Sequence, residues 1–141
     1  MTERQGTPVR DSAAMINGMA PVADGRVWHF CTTADAGLAA RAAPLALASF
    51  AEEEGTSLVL PEPAAREMGF DTGLPMTRIT LSVHSALDGV GLTAAVARAL
   101  AEKGIPCNMI AAFHHDHAFV PTGQAEAALT TLLALAEGRA A

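Results

Sequence analysis

Aromatic side chains are scarce in this sequence of 141 residues, which has no tyrosine, one tryptophan and five phenylalanines. Half of the residues are nevertheless hydrophobic, so Ala, Leu and Val must fill most of a core that suits one domain or two small modules. Basic residues are also few, because nine Lys and Arg stand against fifteen Asp and Glu and the net charge is -6. No basic cluster is present to neutralise phosphates, and we therefore exclude nucleic acid as a partner.

Long apolar runs are lacking as well, because Gly, Pro or charged residues interrupt each apolar stretch well short of the length that spans a bilayer. The polar stretch Met1–Asp11 lacks the apolar segment of a secretory signal. We therefore expect a cytoplasmic protein without a membrane partner. Cys31 and Cys107 have no CxxC spacing, and in a reducing compartment we expect two small buried thiols instead of a disulfide or a nucleophile.

The second half of the chain has the clearer pattern, which predicts the order strand, helix, strand, strand, helix. Apolar and polar residues alternate from Ile79 to His84, as in a half-buried strand. The apolar face Leu92–Leu100 predicts a helix that Gly104 ends. The remaining elements are expected as strands at Asn108–Phe113 and Ala118–Pro121, and as a helix that Thr122 caps and Gly138 ends.

The first half repeats this order in a weaker form. Val27–Thr33 predicts a strand, Ala34–Ala43 an irregular or short helical connection, and Pro63–Met68 a short helix. Two apolar runs, Pro44–Phe50 and Thr56–Leu60, flank an acidic turn and predict a hairpin. The fold class expected is α+β, with ferredoxin-like βαββαβ modules whose antiparallel sheets carry helices on one face. We place a flexible lead-in at residues 1–17 and the two modules at residues 18–75 and 76–138.

The loop His84–Gly91 (HSALDGVG), between a predicted strand and helix, has the chemistry of an amino-acid site. Unpaired backbone N–H groups at a helix start attract anions, and glycines let a ligand approach the backbone. Asp88 supplies a carboxylate for an ammonium group. The alternative is a purely structural turn in which Asp88 helps to cap the helix. The spacing alone does not decide between them.

The same loop matches the dinucleotide fingerprint G-x-G-x-x-A through Gly89, Gly91 and Ala94. In a Rossmann unit, however, the first glycine follows its strand almost at once, whereas here it comes well after Val83. The next strand also turns back in a hairpin instead of leading to another crossover helix. We therefore reject a dinucleotide site.

The run His114–His117 (HHDH) lies at the expected hairpin turn. Only alternate residues of an extended chain share a face, so His115 and His117 could converge on a metal, with His84 as a third ligand. Zinc needs three or four well-placed ligands, and a polar turn is the favoured interpretation. The Ser and acidic residues form no nucleophile elbow and no carboxylate pair. We therefore expect no catalytic residues and no cofactor.

Several stretches resemble a known family. ITLSVHSALDGVGLTAAVARALAEKGIPCNMIAAFHHDHAFVP (Ile79–Pro121) resembles the C-terminal module of a small bacterial family with two tandem ACT-like domains, similar in arrangement to the regulatory part of aspartate kinases. VWHFCTT (Val27–Thr33) and AEEEGTSLVLP (Ala51–Pro61) resemble its N-terminal module. The resemblance covers residues 18–136 and implies a ferredoxin-like fold in each module, with binding of amino acids for regulation.

In the ACT superfamily the ligand lies at the strand-to-helix loop and against the following strand. The resemblance thus implies a binding site made of Ser85, Asp88, Gly89, Val90, Gly91, Leu92 and Asn108. The corresponding loop often reads Asp-x-Pro-Gly, and here the proline is missing. A complete C-terminal module would also have a fourth strand after its second helix. We expect the first half of the chain to supply that strand, so that the two modules share one core.

We therefore expect a non-catalytic regulatory protein that binds a small molecule, in the first place an amino acid, and acts on a separate, unknown protein target. Two alternatives remain open. One is a metal-binding protein or enzyme that uses His84, His115 and His117. The other is a pure interaction module whose apolar surface pairs with another chain, with a homodimer as one arrangement, because an unpaired sheet edge needs cover.

Overall fold

The structure, a computed structural model, describes residues 11–83 and 89–138. The helices of these ranges are α1 (Ser12–Asn17), α2 (Ala36–Ala42), α3 (Glu62–Glu67), α4 (Leu92–Glu102) and α5 (Ala125–Ala136). The strands are β1 (Pro21–Thr33), β2 (Ala48–Glu52), β3 (Gly55–Pro61), β4 (Met76–Leu81), β5 (Asn108–Ala111) and β6 (Asp116–Pro121). This order confirms the expected α+β class and the two hairpins.

The acidic hairpin forms where the sequence predicts it. β2 and β3 pair antiparallel, and the last pair before the turn joins Glu52 to Gly55. Gly55 has a φ of 147°, and a Cβ at this position would overlap the carbonyl oxygen of Thr33. Only glycine fits here, because the turn needs a positive φ and close approach of two backbones.

The end of α4 also follows the expected local chemistry. Gly104 has a φ of 69°, and the amide of Ile105 donates to the carbonyl of Leu100 over 3.0 Å. Ile105 is buried against the core beside the last turn of the helix. A left-handed glycine followed by an apolar residue that folds back is the common way to satisfy the last carbonyls of a helix.

Several boundaries differ from the prediction, and the following four differ in kind or by several residues. Residues 12–17 of the expected lead-in form α1, and Asp11 caps it by accepting a hydrogen bond from the amide of Ala14. β1 begins at Pro21, ahead of the predicted start at Val27. Pro44 lies in a 3₁₀ turn, Ala43–Leu45, because its fixed φ suits the first turn of a helix, and β2 starts only after it. Thr122 opens another 3₁₀ turn instead of capping α5, which begins at Ala125.

The chain divides into two compact units. The large unit comprises the described residues of 1–24 and 78–141, and the small unit comprises residues 25–77. Both divisions fall inside strands, between Asp24 and Gly25 in β1 and between Thr77 and Arg78 in β4. The chain segments of the units are therefore interleaved in sequence.

In the large unit the strand order is β1, β4, β6, β5, with Pro21–Asp24 as the contribution of β1. The amide of Ser82 donates to the carbonyl of Met19, and Arg78 forms an ion pair with Asp24 at 3.1 Å, which makes this start of β1 antiparallel to β4. The fourth strand that the C-terminal module needs thus comes from the first half of the chain.

The core of the large unit lies between this sheet and three helices. The helices contact one another and bury their apolar faces against alternate residues of β4 and β6. Its buried members are Met15, Met19, Ile79, Leu81, Val83, Leu92, Val96, Leu100, Ile105, Ala118, Val120, Ala128 and Leu132. The alternation predicted for β4 and the apolar face predicted for α4 are confirmed.

The small unit has its own, smaller cluster of buried apolar residues. Its strands lie in the order β2, β3, β1, and β1 pairs antiparallel with β3. Cys31, Leu58 and Leu60 project from this sheet onto Ala42 of α2 and Ala65 of α3. Among the described residues, each set of helices buries its own set of strand residues.

Candidate functional site

The predicted ligand loop begins where β4 ends. Val83 is buried in the core of the large unit. The residue before it, Ser82, is fixed by a hydrogen bond from its backbone amide to the carbonyl of Met19. His84, Ser85 and Asp88 lie outside the described residues, so their assigned roles remain predictions.

The described end of the loop is the start of α4. Gly91 is the N-cap residue with a φ of 110°, and its carbonyl accepts the amide of Ala95 at 2.9 Å. Gly89 is half-buried, Val90 is exposed, and Leu92 is buried as an anchor of the first turn. Because glycine has no side chain, the N-cap residue itself offers no acceptor to the amides of this first turn.

The corresponding loop of the small unit, between β1 and α2, is arranged differently. Asp35 is the N-cap residue there, and its Oδ1 accepts hydrogen bonds from the amides of Gly37 at 2.8 Å and Leu38 at 3.1 Å. The hydroxyl of Thr33 accepts the amide of Asp35 at 3.1 Å. The Asp35 carboxylate thus occupies the position at the start of α2 where a bound anion would otherwise lie. An Asp before an Ala-rich segment is an ordinary helix-start signal that the sequence-based prediction missed.

Asn108 does not lie at the start of α4. It is the first residue of β5, five residues after Lys103, the C-cap of α4, and Ile105 between them packs on the last turn of that helix. Because α4 has 11 residues, its two ends are about 16 Å apart. Asn108 is also exposed on the face of β5 opposite Met109, which packs against the core. The structure therefore separates Asn108 from Gly89–Leu92.

The tip of the second hairpin lies beside the end of β4 instead. Nδ1 of His115 is 3.5 Å from the carbonyl oxygen of Val83, and Nδ1 of His117 is 3.1 Å from the hydroxyl of Thr80. His117 lies within β6 and His115 just before it, so both histidines lie beside β4 without forming a pair on one strand face. Within residues 11–83 and 89–138, no three potential ligands from His, Cys, Asp and Glu come together as a metal site.

The surroundings of His117 favour its neutral form. Burial lowers the pKa of this imidazole below its ordinary 6.5, and the positive charge of Arg78 and the neighbouring His115 lower it further, while Asp116 acts in the opposite direction. A neutral ring makes one hydrogen bond to Thr80 without needing a counter-ion. The histidine therefore ties β6 to β4.

A polar group that the sequence-based prediction missed lies in the small unit. His29 of β1 is almost wholly buried, and its Nε2 is 3.2 Å from Oε1 of Glu62, an oxygen that Arg66 also contacts at 3.2 Å. The hydrogen bond from His29 is the main reason why the pKa of Glu62 is lowered. Nδ1 of His29 has no hydrogen-bond partner among the described residues. The only signal in the sequence was a histidine at an inward-facing position of VWHFCTT.

The cysteines show no activated thiol. Cys31 is buried and Cys107 is half-buried, and both are free. Burial raises the pKa of both thiols, with a further contribution from the charge of Asp71 at Cys31. A raised thiol pKa disfavours the thiolate that nucleophilic catalysis requires.

The structure thus defines a protein of the ferredoxin-like α+β class with two modules in tandem, and none of its described helices is long and apolar enough to cross a bilayer. Sequence profiles of the ACT domain match residues 7–77 and residues 75–134. The chain therefore belongs to the ACT-domain family.

Solved structures of similar fold include one with substantial sequence similarity. A protein of unknown function from Vibrio cholerae, described as a possible transport protein, is 38% identical over 88% of this chain and 94% of its own, with a TM-score of 0.78. The ligand-free regulatory subunit of aspartate kinase from Thermus thermophilus is 12% identical, with a TM-score of 0.62 over 84% of this chain and 97% of its own. Aspartate kinase from Clostridium acetobutylicum is 10% identical, with a TM-score of 0.59 over 84% of this chain and 34% of its own. No curated protein shows significant similarity.

Proposed function

We propose that this chain is a non-catalytic regulatory protein that binds one small amino acid at the start of α4. The observation that carries the proposal is the N-cap of α4, where Gly91 provides a positive φ and no side-chain acceptor. The backbone amides of an 11-residue helix there favour a carboxylate, because they carry the positive end of the helix dipole. Asp88 and Ser85, which precede Gly89 in the loop sequence, are the proposed partners of the ammonium group.

The small unit supports this choice of site by contrast. Its equivalent helix start is capped by Asp35, so a second ligand carboxylate would have to displace a residue of the chain. We therefore expect one ligand per chain. The predicted role of Asn108 is not part of the proposal, because that residue lies near the other end of α4.

The regulatory role rests on the family. ACT domains occur in the regulatory subunit of aspartate kinase to which this chain is similar in fold. In our proposal the ligand-bound chain acts in the cytoplasm on a separate protein. A separate target is needed because the fold by itself does not imply a catalytic reaction.

The proposal is tested by titrating the protein with the common amino acids. Thermal shift identifies candidates, because a ligand at a hundred times its Kd adds about 2.7 kcal/mol of stability. Calorimetry then gives the affinity and stoichiometry, and we expect one site per chain. Gly91→Ala should weaken binding roughly tenfold or more, because alanine resists a positive φ and shifts the helix start.

The matched control is Gly123→Ala, where the added Cβ meets open space and no positive φ is required. This variant should bind like the parent protein. If no amino acid binds at millimolar concentration, or if Gly91→Ala binds as well as the parent, the proposed site is wrong.

A further inference from the structure

β2 is the edge strand of the small unit. It stands at the end of the strand order, and β3 is its one neighbour among the described strands. Ser49, Phe50, Ala51 and Glu52 are all exposed. The outward backbone groups of an uncovered edge strand can pair with a further strand, and natural proteins usually prevent this by placing Lys or Pro on the edge. The sequence of β2, ASFAE, contains neither residue.

The register of the hairpin shows which backbone groups of β2 point outward. Glu52 and Gly55 flank a two-residue turn, so they form a hydrogen-bonded pair, and pairs of this kind alternate with non-bonded pairs along an antiparallel ladder. Phe50 therefore bonds to β3. The N–H and C=O groups of Ser49 and Ala51 point away from β3, so these two residues form the part of the edge that can pair with another strand.

Exposed apolar side chains are concentrated at this edge. Phe50 is 73% exposed, Leu47 is 40% exposed, and Leu45, in the 3₁₀ turn just before β2, is 51% exposed. Single exposed apolar residues are normal, but several large ones along one short segment mark a contact surface for another chain. In strand addition the backbone groups give affinity and the side chains at alternate positions give specificity. The partner strand should therefore be apolar at alternate positions.

The C-terminal end of β2 is acidic. Glu52, Glu53 and Glu54 follow one another there, and they take part in none of the ion pairs among the described residues. Residues 25–77, which form the small unit, include seven Asp and Glu, three Arg and no Lys. A strand that aligns with β2 is therefore attracted more strongly if it carries positive charge at the end beside the turn.

We propose that β2 binds an extended segment of a separate protein, which adds to the sheet as an outer antiparallel strand. The segment begins with basic residues beside Glu53 and Glu54 and continues with alternating apolar residues past Phe50 toward Leu47. The antiparallel direction gives the slightly more stable ladder. Because β2 has five residues and spans about 17 Å, a segment of about seven residues covers the strand and its acidic end.

A second copy of this chain is a poorer match for the same edge. In an antiparallel pair of β2 strands, the acidic end of each copy would lie beside the start of the other strand, and Ala43–Ala48 has no charged residue. The net negative charge of the two small units would also oppose this pairing. The charges therefore favour a separate, basic partner.

The strand addition is tested with the acetylated and amidated peptide KRVTVTV, titrated by calorimetry into the full chain without any amino acid. We expect saturable binding at one site. Ser49→Pro should weaken this binding roughly tenfold or more, because it removes an outward N–H without breaking a bond to β3. The matched control is Ser49→Ala, which changes the side chain, keeps the N–H and should bind like the parent protein. Ala51→Pro repeats the test at the other outward residue.

A second set of measurements tests the charges and the direction. Glu53→Gln combined with Glu54→Gln should weaken peptide binding roughly threefold or more and reduce its dependence on salt. Glu67→Gln, at an exposed residue of α3, is the matched control and should leave both unchanged. The reversed peptide VTVTVRK, which can bring its charges to the turn only as a parallel strand, should bind more weakly. Circular dichroism checks that every variant is folded.

The proposal is overturned if KRVTVTV does not bind, or if both proline variants bind it as well as the parent protein. Self-association of the chain that Ser49→Pro abolishes would also overturn it, because β2 would then pair with a second copy. Equal binding of the reversed peptide would overturn the antiparallel direction. None of these outcomes depends on amino-acid binding by the large unit, so the two proposals can fail separately.

Discussion

His117 shows how a single residue can couple the stability of this fold to pH. Its ring bonds to Thr80 on the neighbouring strand, and its pKa is held below the ordinary 6.5 mainly by burial. The unfolded chain then takes up a proton at this residue at a higher pH than the folded chain does. Stability contributed by the neutral ring is therefore complete above pH 6.5 and falls as the pH drops below it.

We expect the parent protein to unfold at a lower urea concentration at about pH 5.5 than at about pH 7.5, and His117→Gln to reduce this difference. Glutamine keeps a hydrogen-bonding side chain but does not titrate. His114→Gln is the control, because His114 is exposed at the hairpin tip and its ring contacts Phe113. An unchanged pH dependence in His117→Gln would mean that another group controls acid stability.

At the scale of the element, α5 shows that the sequence can predict a helix without predicting which face of that helix is buried. The predicted helix is present, and Ala128 and Leu132 are buried. Leu133, the residue after Leu132, is 41% exposed, while Thr131 is buried. Its hydroxyl donates to the carbonyl of Ala127 at 2.8 Å, which satisfies the polar group within the helix. Because α5 carries leucines on two faces, its packing against neighbouring elements determines which face is buried.

Two adjacent leucines test this assignment. Leu132→Ala should destabilise the protein by about 2–5 kcal/mol, because it leaves a cavity in the core of the large unit. Leu133→Ala, the same chemical change one residue later, should cost roughly 0.5 kcal/mol or less. Urea unfolding of both variants measures the difference in their free energies of unfolding. Equal losses of stability would contradict the assignment of Leu132 to the buried face and Leu133 to the exposed one.

At the scale of the whole molecule, the interleaving of the two units decides which pieces can fold. The large unit takes Met15, Met19 and Pro21–Asp24 from the first part of the chain and residues 78–138 from the last part. Both methionines are fully buried. A fragment that begins at Arg78 therefore lacks part of its core and an entire strand.

We expect the fragment of residues 78–138 to remain unfolded in isolation. A rearranged chain in which a flexible Gly/Ser linker joins residue 138 to residues 11–24 should fold, because it restores the methionines and the strand. Near-ultraviolet circular dichroism and the dispersion of amide resonances distinguish the two. A folded 78–138 fragment would show that α1 and the start of β1 are dispensable.

The sequence by itself determined the local features of this protein. Alternation specified β4, helical spacing specified α4, and the residues Gly55 and Gly104 specified a turn and a helix end, because each signal depends only on neighbours within a few residues. The family, too, was evident from Ile79–Pro121, and the profile matches confirm it.

Only the tertiary structure decided which distant residues meet. Asp24 pairs with Arg78 and His29 with Glu62 across separations of 54 and 33 residues, and no short-range pattern encodes either contact. The same holds for Asn108, whose position depends on the whole length of α4. Apolar periodicity predicts that one face of a helix or strand is buried. The free energy of packing against particular partners decides which residues that face contacts.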